Sequence, residues 1–206
     1  GNNGGDGLVA ARKLHGLGRP VFLELVGHGG EGGLRGEAVR NLETLRAAGV
    51  TPSPIPPGVH AFEGDVVIDA LLGTGLSRAP EGPLTEAIKR IAAWRAAGAR
   101  VVSADLPSGL HSDTGAAFSP CVEADVTVSF GHPKVGQILE PGLSLCGRLE
   151  VADIGIPRAA QQVLRGPGVF LLEESDVRFR IPKRSPDSHK GTYGHVLIVG
   201  GSLGKT

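Results

Sequence analysis

Three short polar motifs sit where apolar runs end or helices begin, and each holds residues that can do chemistry. The first is Gly1-Asn2-Asn3-Gly4-Gly5-Asp6-Gly7. Its four glycines in seven residues let the backbone approach a ligand closely. A helix start favours an anionic group such as a phosphate, and two amides and a carboxylate add oxygen ligands and directional hydrogen bonds. A tight turn with an Asn/Asp cap accounts for the same residues. The second motif is Asp69-Ala70-Leu71-Leu72-Gly73-Thr74-Gly75-Leu76-Ser77. A carboxylate closing an apolar strand is costly unless something pairs with it. The Gly/Thr loop beyond it suits a ribose or a phosphate, or is a plain surface turn. The third is Ser103-Ala104-Asp105-Leu106-Pro107-Ser108-Gly109, again with an acid where a strand ends. Asp105 suits a general base or a group that holds a hydroxyl. Asn3, Asp69 and Ser108 would offer a cation only oxygen, which fits hard ions and not thiolate-seeking metals.

Other patterns carry less. The seven histidines show no HExxH or paired-ligand spacing, which argues against zinc. Gly27-His28-Gly29-Gly30-Glu31-Gly32 matches GxGxxG, but the acidic partner due about 20 residues on is absent between Ala47 and Pro52. Gly200 to Thr206 (GGSLGKT) resembles the end of a P-loop, yet the required first glycine falls on Val199.

The elements that must position these motifs alternate along the chain. Asp6 is placed as an N-cap for a helix that Gly16 stops, and Pro20 to Val26 is a short β-leaning run. Leu34 to Ala48 and Leu84 to Ala97 have helical spacing, with Pro83 near the first turn of the latter. Thr51 to Gly58, with four prolines, is loop. Val66-Val67-Ile68, a run from Val101 to Asp105, Asp125 to Phe130 and Leu149 to Ile154 are expected as buried strands. Strands alternating with helices predict a Rossmann-like, doubly wound, mostly parallel α/β sheet. Such sheets bind ligands beyond the carboxyl ends of their strands, where the three motifs fall. From Gly166 to Lys190 a charged, proline-interrupted stretch is expected as a linker, and His195 to Gly200 (HVLIVG) as a fresh buried strand.

Composition narrows the function classes. The chain has 206 residues, with 21 Lys+Arg balanced by 21 Asp+Glu, a pI near 7.2 and a mean hydropathy of +0.04. Zero net charge argues against a nucleic-acid partner or an anionic membrane surface. No apolar run approaches the roughly 20 residues of a membrane span, and the first residues do not show the basic-then-apolar pattern of a signal peptide. Two cysteines, Cys121 and Cys146, make no disulfide scaffold, so a reducing cytoplasm is the expected setting. Gly (33) and Pro (15) approach a quarter of the chain, but the glycines punctuate apolar runs. The absence of Met, with a motif at each end, suggests a piece of a longer protein.

GNNGGDG, VIDALLGTGL and SADLPSG, in that order, resemble the three motifs of the epimerase domain of the YjeF family of NAD(P)H-hydrate repair enzymes. The tail SHKGTYGHVLIVGGSLGKT resembles the opening of the ribokinase-like, ADP-dependent dehydratase domain found in that family's bifunctional members. The resemblance implies an N-terminally truncated epimerase domain over residues 1–165, a linker over 166–190 and a dehydratase start over 191–206. It implies a first strand ahead of Gly1 that lies inside the sheet, and dehydratase active-site residues beyond residue 206. The activity implied is interconversion of (R)- and (S)-NAD(P)H hydrate (NAD(P)HX), with the whole protein also dehydrating the S form using ADP and Mg2+.

Carried over residue by residue, the resemblance assigns the hydrated cofactor to Asn2, Asn3, Gly4, Gly5 and Asp6. It adds Gly73, Thr74, Gly75, Leu76, Ser77, Arg78 and Ala79, together with Asp105. It assigns a potassium ion to Asn3, Asp69 and Ser108, and the acid–base role to Asp105. Lys134 in FGHPKVG is a weaker candidate, since a lysine there is equally a solvated surface charge. The other reading of the same fold is a non-catalytic nucleotide- or partner-binding module; a small-molecule kinase would need residues this chain lacks. A homo-oligomer, and the choice between NADHX and NADPHX, stay open.

Overall fold

The computed structural model describes residues 2–27, 33–54, 65–157, 159–160, 169–181, 183, 185–195 and 197–200. The glycine motif at 27–32, the proline loop beyond residue 54 and the GGSLGKT tail therefore lie largely or wholly outside the described residues. The chain divides into two compact units, Gly1–Arg165 and Gly166–Thr206.

The first unit is a four-stranded parallel sheet in the order β1-β2-β3-β4, flanked by helices. Its strands are β1 (Val66–Asp69), β2 (Arg100–Ala104), β3 (Val126–Phe130) and β4 (Arg148–Ala152). β1 and β3 are short β-branched runs of the kind that fits a pleated surface, β2 carries Val101 and Val102, and β4 only Val151. Register is set by Asp69 opposite Ser103, Ala104 opposite Val128, and Phe130 opposite Ala152. Helices α1 (Asn2–Gly16), α2 (Glu37–Ala47) and α3 (Pro83–Ala96) are the long ones, while α4 (Val135–Ile138) and α5 (Gly142–Cys146) bridge β3 to β4. The α/β class and the four strands agree with the sequence reading, but the expected burial does not hold for the outer two, where Val66 of β1 and Val151 of β4 are exposed.

Burial follows amphipathic stripes. Leu8 and Ala11 of α1 pack with Ala38, Leu42 and Leu45 of α2 and with Val50. Ile88 and Ile91 of α3 pack on Val101, Val122 and Ala124, with Val67 and Leu71 against them. Leu106, Leu110 and Cys146 form a third cluster beneath the β2–β3 connection.

Three expectations are corrected. Asp6 is not an N-cap: α1 begins at Asn2, so the motif is helix and not a turn ahead of one. Its glycines serve close packing, since none of Gly4, Gly5 and Gly7 has a positive φ. Gly5 lies where a Cβ would touch Ala38 at 3.5 Å, and a Cβ on Gly7 would meet the Ala70 methyl at 2.7 Å. Pro20 to Val26 is not a strand. Val21, Leu23 and Leu25 pack on the α1–α2 cluster and Phe22 is exposed, but among the described residues only the Leu23 carbonyl of this run takes a backbone bond from outside it, from the Ser53 amide (2.9 Å). An extended run becomes a strand only by pairing along its length. Nor does the tail form a buried strand: residues 195 and 197–200 are unpaired, with Leu197, Ile198 and Val199 exposed. A continuous apolar run is buried only where neighbours and two covering layers exist, and none packs on it among the described residues.

The second unit carries α6 (Glu174–Arg178) and a 3-10 turn at Lys190–Tyr193. Phe170, Leu172 and Phe179 are exposed there.

Candidate active site

The three motifs converge at the carboxyl edge of the sheet, and a fourth segment joins them. Asp69 is the last residue of β1 and is wholly buried. Its Oδ2 accepts from Ser103 Oγ (2.9 Å) and from the Ser108 amide (2.8 Å). Its Oδ1 accepts from Ser108 Oγ (2.5 Å) and the Leu71 amide (3.3 Å). The pairing that a carboxylate at this position demands is thus supplied by neutral donors. Burial pushes the Asp69 carboxyl above the usual range, and the bonds from Ser108, Ser103 and Leu71 pull the other way.

Asn3 reaches this cluster from α1. Its Nδ2 donates to the Leu72 carbonyl (2.8 Å), and the Leu72 amide donates to Ser108 Oγ (2.9 Å). Asn3 Oδ1 is buried and has no hydrogen-bond partner among the described residues. A buried amide oxygen left bare is costly, and the Nδ2 of the same amide is tied to the Leu72 segment that binds Ser108. Gly73 keeps the loop after β1 against this side chain, since a Cβ there would come within 3.2 Å of Asn3 Cβ. No group of three His, Cys, Asp or Glu residues that could hold a metal occurs among the described residues.

Asp105 follows β2 directly and adopts φ 64°, alone among the described non-glycine residues in having a positive φ. An L residue in this left-handed region costs about 1–3 kcal/mol and marks functional sites. Its conformation is held from several sides. The Asp105 amide donates to the Val128 carbonyl (2.8 Å), and Oδ1 accepts from the Phe130 amide (3.1 Å). The carboxylate so continues the β2–β3 ladder where the backbone has turned away.

Lys134 Nζ ion-pairs with Asp105 Oδ1 and also donates to Ser129 Oγ and the Phe130 carbonyl, both at 3.0 Å. The side chains are 18% and 14% exposed, so this pair is largely removed from water yet still accessible. Lys134 is therefore not a solvated surface charge. Asp6 feels the same centre: its carboxyl is raised by burial first and by the Asp105 charge second.

The remaining assigned residues form a rim. Gly4 and Gly5 are turned into the α1 packing, while Asn2 and Asp6 are exposed. In the loop after β1, Thr74, Gly75, Ser77, Arg78 and Ala79 are exposed and Leu76 is half-buried. The Thr74 carbonyl accepts from Ser112 Oγ (3.4 Å). Burial first, then Asp69 and Cys146, push the Cys121 thiol up to about 12, and burial pushes Cys146 up to about 11, which disfavours the thiolate at both.

Three buried residues of the site escape the sequence reading. Ser103 sits under Asp69 and Ser129 under Lys134. Gln137, fully buried, donates from Nε2 to the Asp105 carbonyl (2.7 Å) and accepts at Oε1 from the Lys134 amide (2.7 Å). In sequence it is one polar letter in Val135-Gly136-Gln137-Ile138, and only the chain's return past β2 gives it meaning.

Comparison with known proteins fits this geometry. The family model described as "YjeF-related protein N-terminus" matches residues 1–136. Proteins named bifunctional NAD(P)H-hydrate repair enzyme are similar throughout. That of Moorella thermoacetica is 43% identical over all of this chain and 39% of its own length. That of Thermofilum pendens is 41% identical over 98% of this chain and 38% of its own, and that of Coxiella burnetii 38% identical over 99% and 40%. The chain thus spans about two fifths of the length of the curated relatives it matches. The crystal structure of yeast YNL200c superposes with a TM-score of 0.58 at 22% identity, over 82% of this chain and 70% of that one, and so shares the fold. By the family match across most of its first unit and by these relatives, the chain belongs to the YjeF N-terminal family.

Proposed function

We propose that the first unit is an epimerase that interconverts the R and S hydrates of NADH and NADPH. The observation that carries this reading is the shielded Asp105–Lys134 pair at the strand ends, in a family whose relatives are named for NAD(P)H-hydrate repair. Water adds to a dihydronicotinamide at the carbon beside the ring nitrogen, where nitrogen stabilises the developing positive charge. The hydrate is therefore a carbinolamine. Inverting that carbon breaks and remakes a bond to oxygen or to the ring nitrogen. Either route needs one group that takes a proton and one that returns it. In this reading Asp105 takes the proton and then returns it, filling both roles in turn, and the Lys134 ammonium offsets the negative charge that develops on the substrate. The α1 start and the exposed loop from Gly73 to Ala79 form the rim that takes the rest of the dinucleotide. Asn2 and Asp6, four residues apart at the start of α1, share one face of that helix.

Potassium fits the Asn3–Asp69–Ser108 group. Asn3 Oδ1 has its lone pairs free, and the neighbouring donors are all oxygen. Asn3 would be its principal protein ligand, with Asp69 and Ser108 beside it. When bound, the ion supplies positive charge against the buried carboxylate. The intact protein, by the same reading, also dehydrates the S form with ADP and Mg2+ in the part that follows residue 190.

The test is isomer exchange. Purified (S)-NADPHX is incubated with the intact protein and the R form followed by chromatography. Formation of R far above the spontaneous rate is expected. A folded protein that gives none would overturn the reading and leave a dinucleotide-binding module.

A further inference from the structure

We propose that Gln137 is the positioning residue of this site: its buried amide fixes Asp105 and Lys134 relative to one another. The inference rests on the epimerase reading for its kinetic consequence, while the placement itself does not.

Both ends of one side chain are spent on the two charged residues. Nε2 holds the carbonyl of Asp105, a residue 32 positions away, and Oε1 holds the amide of Lys134, three positions away. The Asp105 peptide units are then fixed on both sides, by Val128 before the residue and by Gln137 after it. A left-handed aspartate so restrained presents its carboxylate in one direction. On the lysine side, the same amide sets the backbone from which Nζ returns to Asp105 Oδ1, Ser129 Oγ and the Phe130 carbonyl. A buried amide has one orientation that satisfies both bonds, because its oxygen must face an N–H and its nitrogen a carbonyl. Proton transfer is steep in donor–acceptor distance, so a small misplacement of either partner slows turnover more than it weakens binding.

Two variants separate the halves of this arrangement in the intact protein. Gln137→Glu keeps the acceptor for the Lys134 amide and, at a pH where the introduced carboxyl is ionised, loses the donor to the Asp105 carbonyl. Gln137→Met has similar volume and loses both. Residue-resolved hydrogen exchange reads placement without turnover, through the Phe130 amide, which donates to Asp105 Oδ1, and the Lys134 amide itself.

The expected result for Gln137→Glu is faster exchange at Phe130 with Lys134 still protected; for Gln137→Met, faster exchange at both. In the isomer assay kcat should fall at least tenfold in each variant, with KM within about threefold of the parent, a split that general loosening would not give. Unchanged Phe130 protection in a folded variant would overturn the proposal, as would a loss confined to KM. If the amides respond as expected but the parent protein exchanges no isomers, the epimerase reading has failed and the positioning role stands. If the parent is active and the variants keep its kcat, the positioning role has failed alone.

Discussion

Asp69 and Asp105 close neighbouring parallel strands at the same edge of the sheet, yet they are held in opposite ways. Asp69 is sealed from solvent and receives hydrogen bonds from two serine hydroxyls and two backbone amides, all neutral. Asp105 turns into the left-handed region and faces an ammonium group in a partly open setting. Neutral donors fix the orientation of a buried carboxylate without cancelling its charge, which is what the cation frame proposed above asks of Asp69. A lysine cancels charge and leaves a proton path, which suits Asp105 to chemistry. Residue type and strand position are shared, and what separates the two roles is the company each carboxylate keeps.

The contrast can be broken at several points. The largest effect is expected from Asp105→Ala, which should lower isomer exchange by about 10²–10⁴-fold, the usual range for a lost acid–base group, while circular dichroism shows the fold intact. Activity within a few-fold of the parent would move the chemistry elsewhere. Exchanging potassium for lithium or sodium should come next, raising KM for the hydrate. Indifference to the cation would remove Asn3, Asp69 and Ser108 as ligands.

Ser108→Ala probes the neutral frame by itself. It strips Asp69 Oδ1 of one donor and leaves the Leu72 amide without its acceptor, both in a buried setting. Urea unfolding should show a loss of about 1–3 kcal/mol. The smallest effect concerns how α1 is seated. Alanine in place of a helical glycine gains up to about 1 kcal/mol from propensity. At Gly5 the added methyl makes ordinary contact, whereas at Gly7 it meets the Ala70 methyl at 2.7 Å. Gly5→Ala should therefore be the more stable variant by about 1–2 kcal/mol, since forced overpacking costs that much or more. Equal melting curves would mean that the glycines do not set the approach of α1.

Much of the frame could be read ahead of the structure. Runs such as Val66-Val67-Ile68 announce strands because consecutive β-branched residues favour a pleated, extended backbone. The acids that end them stood out because an unpaired buried charge is expensive. What stayed hidden depended on contacts between distant segments. GNNGGDG reads as a turn until α2 and Ala70 are seen to need its missing side chains. Pro20 to Val26 has a strand's composition but no ladder partner among the described residues, and composition cannot supply one. Lys134 stayed ambiguous and Gln137 invisible, because both acquire roles only when β3 is laid beside the end of β2.

The bond between the Phe130 amide and the Asp105 carboxylate has a mechanical consequence. A side chain that stands in for a rung of the sheet cannot swing toward and away from its substrate without unzipping the end of a strand. On the epimerase reading proposed above, Asp105 would be the stator and the hydrated ring the rotor that presents first one face and then the other. Specificity between the two isomers would then be written in how loosely the ring is gripped, and a pocket that clasped it tightly would trap one hand of the substrate and stall.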